Sequence, residues 1–391
     1  MATGSRYSYT DTTINKRGII DAIYMIDHTE APLLNKLGFS ASNTKKFRPL
    51  NWPNTKLAWL EDTLRAFGTT MNDSGGIDGS VTTITVTDGT LFQAFDILGI
   101  HASTTSTSQI VEKVQVSGVS GNDLTVVRSW GAPAAAVHSD GVYISLLTRA
   151  APEGLDFATG YSTTTSEVYN YTQIISQAAK STRTSRKMSN YGIDDDLAYQ
   201  VGKLIVDGKT AGVLPILLEK TFYSGERNQR TNTTTAPGSM GGFEIFVTTN
   251  VQDLNGAAIT RANIHTAIRQ VRDAGGSVDT LLCNSWGLEK ITSMYEDTIR
   301  TTRDEKRGGS EITMVKTPHG EVELMYSWLC PQDRYYFINS EKCGWLPFDE
   351  FDTTDISAQG DYFVQNVVGE YTFFLCNEKS HALISEASIT T

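Results

Sequence analysis

The residue types that carry chemistry are present in this sequence but never converge on one pattern. Its six histidines, His28, His101, His138, His265, His319 and His381, show no HExxH and no other spacing that would turn two imidazoles toward one ion. The four cysteines, Cys283, Cys330, Cys343 and Cys376, include no CxxC, so they read as separate buried thiols rather than a zinc cage or a redox pair. Cys283 with His265 supplies a thiol and a base, yet the apolar run Thr280 to Cys283 places that thiol in a core. Gly238-Ser239-Met240-Gly241-Gly242 has the glycine content of a phosphate loop without its GK[ST] ending, and it precedes a strand where such a loop follows one. A flexible connection is expected there. Asp194-Asp195-Asp196 offers carboxylates to a hard cation, but consecutive residues at a helix start point in different directions, and complementing the helix dipole accounts for them. No catalytic, cofactor-binding or metal-binding residue is assigned, and no enzyme activity is expected.

The elements that would have to position a site point instead to a surface. Lys180, Arg183, Arg186 and Lys187 form a basic cluster within eight acid-free residues, read as a solvated strand edge, as a salt-bridge strip facing an acidic neighbouring subunit or, third, as a DNA contact. Trp52, Trp59, Tyr169 and Tyr171 stand on two extended stretches with little private core to join, and amphipathic aromatics anchor interfaces well. Together with Glu61 these are the expected inter-subunit contacts.

Composition narrows the classes. The 391 residues are 39 % hydrophobic and 20 % charged, as in a globular protein, and no apolar run approaches the ~18 residues of a membrane span. The formal charge of −11 argues against a chain whose main task is gripping phosphate backbones, while suiting a container that encloses nucleic acid without sticking to it. The opening Met1-Ala2-Thr3-Gly4-Ser5-Arg6 lacks the charged and apolar regions of a signal peptide, and folding in the cytosol is expected.

Periodicity then divides the chain. Residues 1–50 are polar with short apolar patches and a helix around Leu33 and Leu37 ending at Gly38, an N-terminal arm that needs another surface to lie on. Residues 51–78 form an outgoing extended limb, whose Pro53 enforces an extended start. Residues 79–152 alternate in short strands with turns at Asp88-Gly89 and Gly121-Asn122-Asp123, the pattern of a small inserted barrel or sandwich. Residues 153–188 return as a second limb, whose Ser166 to Ile175 stretch is expected to pair with Lys56 to Leu64. From Asp194 the period becomes helical for nearly thirty residues, with Pro215 expected to interrupt it, in a segment 189–239 of spine helix and peripheral domain. Residues 240–365 alternate strand and helix: Phe243 to Val247, a helix from Arg261 to Ala274, Thr280 to Cys283, a helix from Trp286, and a hairpin over Ile312 to Tyr326 with His319 in its turn. Residues 366–391 carry a C-terminal strand.

Ala31-Pro32-Leu33-Leu34, Leu57-Ala58-Trp59-Leu60-Glu61-Asp62-Thr63-Leu64, Tyr169-Asn170-Tyr171-Thr172-Gln173-Ile174 and Asp196-Leu197-Ala198-Tyr199-Gln200, in this order and spacing, resemble a family of major capsid proteins of podoviruses and related tailed bacteriophages. The resemblance spans nearly the whole chain. It departs at Gly208, Gly212 and Pro215, where the family helix is richer in charged helix formers. The resemblance implies an α+β Hong Kong 97-like capsid fold: N-terminal arm, extended loop, spine helix, peripheral and axial domains, here with a small all-β inserted domain. It also implies self-assembly into pentamers and hexamers of an icosahedral or prolate head enclosing the double-stranded DNA genome. Portal and scaffolding proteins, with a minor capsid or decoration protein, are the implied partners. The place is the virion capsid, assembled in the host cytoplasm, with no membrane. Two other classes compete: an encapsulin-like compartment shell holding enzyme cargo, which the arm and the insert disfavour, and an enzyme or receptor-binding β-rich protein, which the lack of a convergent chemical set disfavours.

Overall fold

Alternating apolar and polar residues between Gly68 and Arg149 build six strands whose inward positions make one core. In Ile110–Ser120 the inward residues are Glu112, Val114 and Val116, and in Asp123–Val127 they are Leu124 and Val126. The sheet order is Gly68–Thr70, Tyr143–Arg149, Asp96–His101, Ile110–Ser120, Asp123–Val127, Thr83–Thr85, with every pairing antiparallel. Its two edges meet: Met71 bridges Val86, Asn72 N–H donates to Thr85 O at 2.9 Å and Thr87 N–H to Thr70 O at 3.0 Å. The six strands therefore close into a barrel, which leaves no open edge. This barrel lies within one compact unit, Leu60–Ser166, and the rest of the chain forms the other. Gly68–Thr70 belongs to the barrel although it stands ahead of the expected start at residue 79. The computed structural model describes residues 31–38, 54–106, 108–131, 134–154, 162–188, 194–205, 212–230, 237–295, 314–356 and 360–389. The arm before residue 31, Trp52 and Gly208 lie outside these residues.

The expected hairpin at Asp88-Gly89 is corrected. Asp88 caps a 3-10 turn, Gly89–Leu91, and the next strand starts only at Asp96. Thr83–Thr85 pairs with Asp123–Val127 instead. A side chain at Gly89 would sit 2.1 Å from Gly121 O, so this glycine serves close approach to a distant turn rather than a hairpin of its own.

In the body, Lys56–Glu61 pairs with Ser166–Tyr171 as a two-stranded ribbon. The chain breaks at buried Thr172, and Gln173–Thr182 joins a separate antiparallel sheet in the order Cys343–Ile356, Tyr362–Leu375, Gln173–Thr182. The two 14-residue strands of that sheet were not anticipated, and Tyr362–Leu375 runs straight across the expected boundary at 365/366. A six-stranded mixed sheet runs Val251–Asp253, Ala382–Ser385, Tyr335–Ile338, Thr280–Cys283, Gly320–Tyr326, Met314–Thr317. Helices Arg261–Asp273 and Ser285–Tyr295 bury Ile264, Ile268, Val271 and Ile291 in a core shared with Leu281 and Phe337 of that sheet. Thr260 and Asn263 form a reciprocal capping box at the first of these helices.

The expected long helix is two helices, Asp196–Leu204 and Val213–Ser224. The first ends at Ile205, which is extended, and the second begins at Val213, so the interruption expected at Pro215 falls ahead of the proline. It stands in the first turn of the second helix, where its missing N–H would have had no intrahelical partner. That second helix is the centre of the larger core. Phe222, fully buried, meets Phe243 at 5.1 Å, Tyr336 at 5.3 Å, Phe373 at 5.6 Å and Trp345 at 6.2 Å between ring centroids. The stretch read as a strand at Phe243 to Val247 is a short helix, Phe243–Phe246, whose two phenylalanines three apart both face this core. Leu33, Leu34 and Leu37 are buried in the same core, around a π-helical turn, Leu34–Gly38. Leu34 N–H donates to the buried Glu219 carboxylate at 3.1 Å, so the described part of the arm lies on its own body.

Candidate functional site

Where the ribbon meets the body, Asn170 makes all four hydrogen bonds that its amide allows. Its Oδ1 accepts from Tyr171 N–H at 2.9 Å and Gly241 N–H at 2.8 Å, and its Nδ2 donates to Gly241 O at 3.1 Å and Phe373 O at 2.6 Å. The side chain is fully buried. Beside it, Glu370 accepts from Thr172 Oγ1 at 2.5 Å and from Arg230 at 3.0 Å, which ties the ribbon exit to the central strand of the three-stranded sheet. Gly238 to Gly242 is therefore not a flexible connection. Met240 is buried, its N–H bonds to Gln173, and a side chain at Gly242 would sit 2.4 Å from Thr221 O. These glycines permit close packing against a helix end.

The aromatics of the ribbon are half-buried against their own chain. Tyr169 is contacted by the Lys56 ammonium at 4.2 Å and the Arg227 guanidinium at 4.4 Å, and Tyr171 meets it edge to face at 5.6 Å. Lys56 also pairs with Glu167 at 2.6 Å, and Arg227 bonds Tyr169 O at 3.0 Å. Trp59 packs on Phe246 at 5.7 Å, and Glu61 closes the strand with an intermediate exposure. Three large apolar side chains of the other unit are open to solvent: Leu60, on this strand, at 70 %, and Leu64 and Phe67, beyond it, at 91 % and 64 % exposure.

The basic cluster divides between a strand and a helical turn. Lys180 stands on Gln173–Thr182 with its ammonium 4.8 Å from the Tyr362 ring. Arg183, Arg186 and Lys187 stand on Arg183–Lys187, capped by Thr182. Arg183 pairs with Asp361 at 2.8 Å, and Arg186 pairs with Asp195 at 3.6 Å while covering the Phe363 ring at 4.6 Å. Arg183, Arg186, Asp195 and Asp361 line an open groove of about 640 Å³ with Asp355 and Gln365. Of the three consecutive aspartates, Asp195 caps its helix and Asp196 accepts from Ser181.

The reactive groups are placed for packing. Burial pushes the Cys283 thiol up to about 12, which keeps it protonated, and its Sγ lies 3.8 Å from Met325 O. Burial lowers His265, with Arg261 and His319 acting in the same direction. Among the described residues no three His, Cys, Asp or Glu side chains are grouped to hold a metal ion. Sequence reasoning passed over Asn170, Arg227, Arg230 and Glu370. Asn170 had one readable signal, a residue poorly suited to strands set between two tyrosines.

A ribbon-like extended loop with an inserted barrel, a helix along a three-stranded sheet and a six-stranded sheet flanked by helices define a Hong Kong 97-like capsid shell subunit. The sequence matches the SU10 major capsid protein family over residues 6–388, and the chain belongs to that family. It is a structural protein of a phage head shell. Among solved structures it is similar to the Cyanophage A-1(L) capsid asymmetric unit, at 11 % identity and a TM-score of 0.54 over 98 % of this chain and 100 % of that one. It is also similar to a chain of Microbacterium phage Oxtober96, at 8 % identity and a TM-score of 0.51 over 98 % and 99 %. The holo-SrpI encapsulin complex from Synechococcus elongatus PCC 7942 is similar at 10 % identity and a TM-score of 0.41, over 59 % of this chain and 79 % of that one, a level that carries no argument. A comparison with curated protein sequences returns no match.

Proposed function

We propose that copies of this chain assemble into the pentamers and hexamers of an icosahedral or prolate head that encloses double-stranded DNA, in the virion, after assembly in the host cytoplasm. The exposure of Leu60, Leu64 and Phe67, close together in the chain, carries this reading beside the family match, because large apolar side chains left in water mark surfaces that another surface can cover. A second copy is the natural cover in a self-assembling shell. The barrel, with its own core, serves as an interaction module, and portal, scaffolding and decoration proteins complete the head. The net charge of −11 supports a container that holds DNA without binding it tightly.

The contact residues proposed are Trp59, Glu61, Tyr169, Tyr171, Lys180, Arg183, Arg186 and Lys187, with Trp52 as a further member. Expression of the chain with electron microscopy and the ultraviolet absorbance ratio of purified particles tests the reading. Shells carrying deoxyribonuclease-protected DNA support it, and shells filled with protein cargo support a compartment instead. Leu64→Ser should leave subunit stability unchanged within about 0.5 kcal/mol, as for exposed sites generally, while lowering the yield of intact shells. Equal shell yield would show that this apolar stretch is not a contact.

A further inference from the structure

Among the described residues the three-stranded sheet of the body has two unpaired edges, and their charges are opposite. On the edge Cys343–Ile356, Asp349, Glu350, Asp352 and Asp355 are all exposed, within a stretch that holds no Lys or Arg. None of them meets a cation among the described residues: Asp352 accepts from Thr353 N–H at 2.7 Å and Asp355 from the Gln365 amide at 2.8 Å. On the other edge, Gln173–Thr182 and the turn after it hold Lys180, Arg183, Arg186 and Lys187 without an acid. Arg183 and Arg186 have partners in their own chain, but Lys180 lies only on an aromatic ring and Lys187 meets no carboxylate among the described residues.

Register sets both runs toward the same end of the sheet. Asp355 stands opposite Gln365, which stands opposite Ala179, and Ile356 is level with Val364 and Lys180. Two strand spacings, about 10 Å, separate the edges, with the central strand between them. Asp355 lines the same groove as Arg183 and Arg186, yet among the described residues no ion pair joins the two runs within one copy, whereas two copies side by side bring their outer edges together. We propose that the acidic edge of one subunit docks on the basic edge of the next, head to tail. A contact between two different patches is heterologous, and repeated rotation closes it into a ring. The inference rests on the shell reading and names the partner of the basic strip: Asp352 and Asp355 of a second copy facing Lys180 and Lys187.

The competing account is local. Two bulges, at Pro347/Asp349 and Asp349/Asp352, together with the acids, would keep a free strand edge from pairing with anything. The full chain distinguishes the two in three forms: Asp352→Lys with Asp355→Lys, Lys180→Glu with Lys187→Glu, and all four changes together. Like charges juxtaposed at an interface are strongly unfavourable, so each two-site variant should lower the yield of sedimenting shells roughly tenfold or more, and the four-site variant should restore most of it. Thermal melts confirm folding. If a reversal does not fold, the neutral pairs Asp352→Asn with Asp355→Asn and Lys180→Gln with Lys187→Gln replace it, and the expected result is a weaker dependence of assembly on salt. Two-site variants that assemble like the wild type, or a four-site variant no better than either, would overturn the proposal and leave edge protection. Wild type that sediments only as a monomer would overturn the shell reading and this docking together.

Discussion

At the scale of single residues, two buried ionisable groups set where acid weakens the molecule. Glu112 is fully buried in the barrel, and burial alone would raise its pKa. Arg128, bound at 2.7 Å through both Nε and Nη2, then Ala136 N–H, His138 and Ser129 N–H outweigh burial and hold it at about 2. A carboxyl lowered from 4.5 to about 2 contributes about 3 kcal/mol above its unfolded pKa, lost as pH falls through that range. His381 is also fully buried in the body, where burial pushes it down to about 4 and Asn339 N–H donates to its Nδ1 at 3.3 Å. Its charged form is favoured in the unfolded chain, so the corresponding loss of stability begins as pH falls below 6.5 and continues to about 4. The His381 contribution to the body should therefore be lost between pH 6.5 and 4.5, opposed by Glu219, whose carboxyl burial pushes up, while the Glu112 contribution to the barrel persists through that window. Hydrogen exchange followed by mass spectrometry at stepped pH checks this, and barrel amides opening first would contradict it.

At the scale of elements, the ribbon depends on how its returning strand is seated. Asn170→Ala would leave Gly241 N–H, Gly241 O and Phe373 O buried without partners. Each unsatisfied buried group costs on the order of 1–3 kcal/mol, so the variant should lose roughly 3 kcal/mol or more of subunit stability in urea unfolding. Asn170→Asp keeps both acceptor bonds but sets an oxygen against two carbonyls, and it should not rescue the loss. A cost below about 1 kcal/mol for the alanine variant would mean that solvent reaches this junction and satisfies those groups. The paired helices obey the same logic: Val213–Ser224 tolerates Pro215 because of where the proline falls in the helix, not because its surroundings are loose.

At the scale of the whole molecule, the chain holds separate cores. The barrel buries Leu98, Ile100, Val114, Val116, Leu124 and Ile144 without a residue from the body, whose larger core gathers around Phe222. Separate cores break two-state unfolding. Calorimetry of unassembled subunits should show two transitions, and Glu112→Gln should shift one of them down by roughly 10 °C or more while the other stays fixed, given the size of a domain near 100 residues. A single transition that moves as a whole would show that the two units unfold together.

Much of this architecture was legible in residue order. Alternation marked the barrel strands, a period near 3.6 marked Arg261–Asp273 and Ser285–Tyr295, and Pro318-His319-Gly320 marked the turn between Met314–Thr317 and Gly320–Tyr326. The order of these modules carried the resemblance to capsid proteins. Local periodicity says what a segment becomes, because propensity and burial act over a few residues. It does not say which segment lies beside which. Thr83–Thr85 passed over its neighbour to pair with Asp123–Val127, and Gln173–Thr182 found a partner almost two hundred residues away. The Asn170 junction, the Glu112–Arg128 pair and the opposed charges of the two sheet edges exist only after such pairings are made. The basic run at Lys180 to Lys187 and the acidic run at Asp349 to Asp355 were both readable as runs. Only the tertiary structure set them on opposite edges of one sheet, because strand order is decided by packing between residues far apart in the chain.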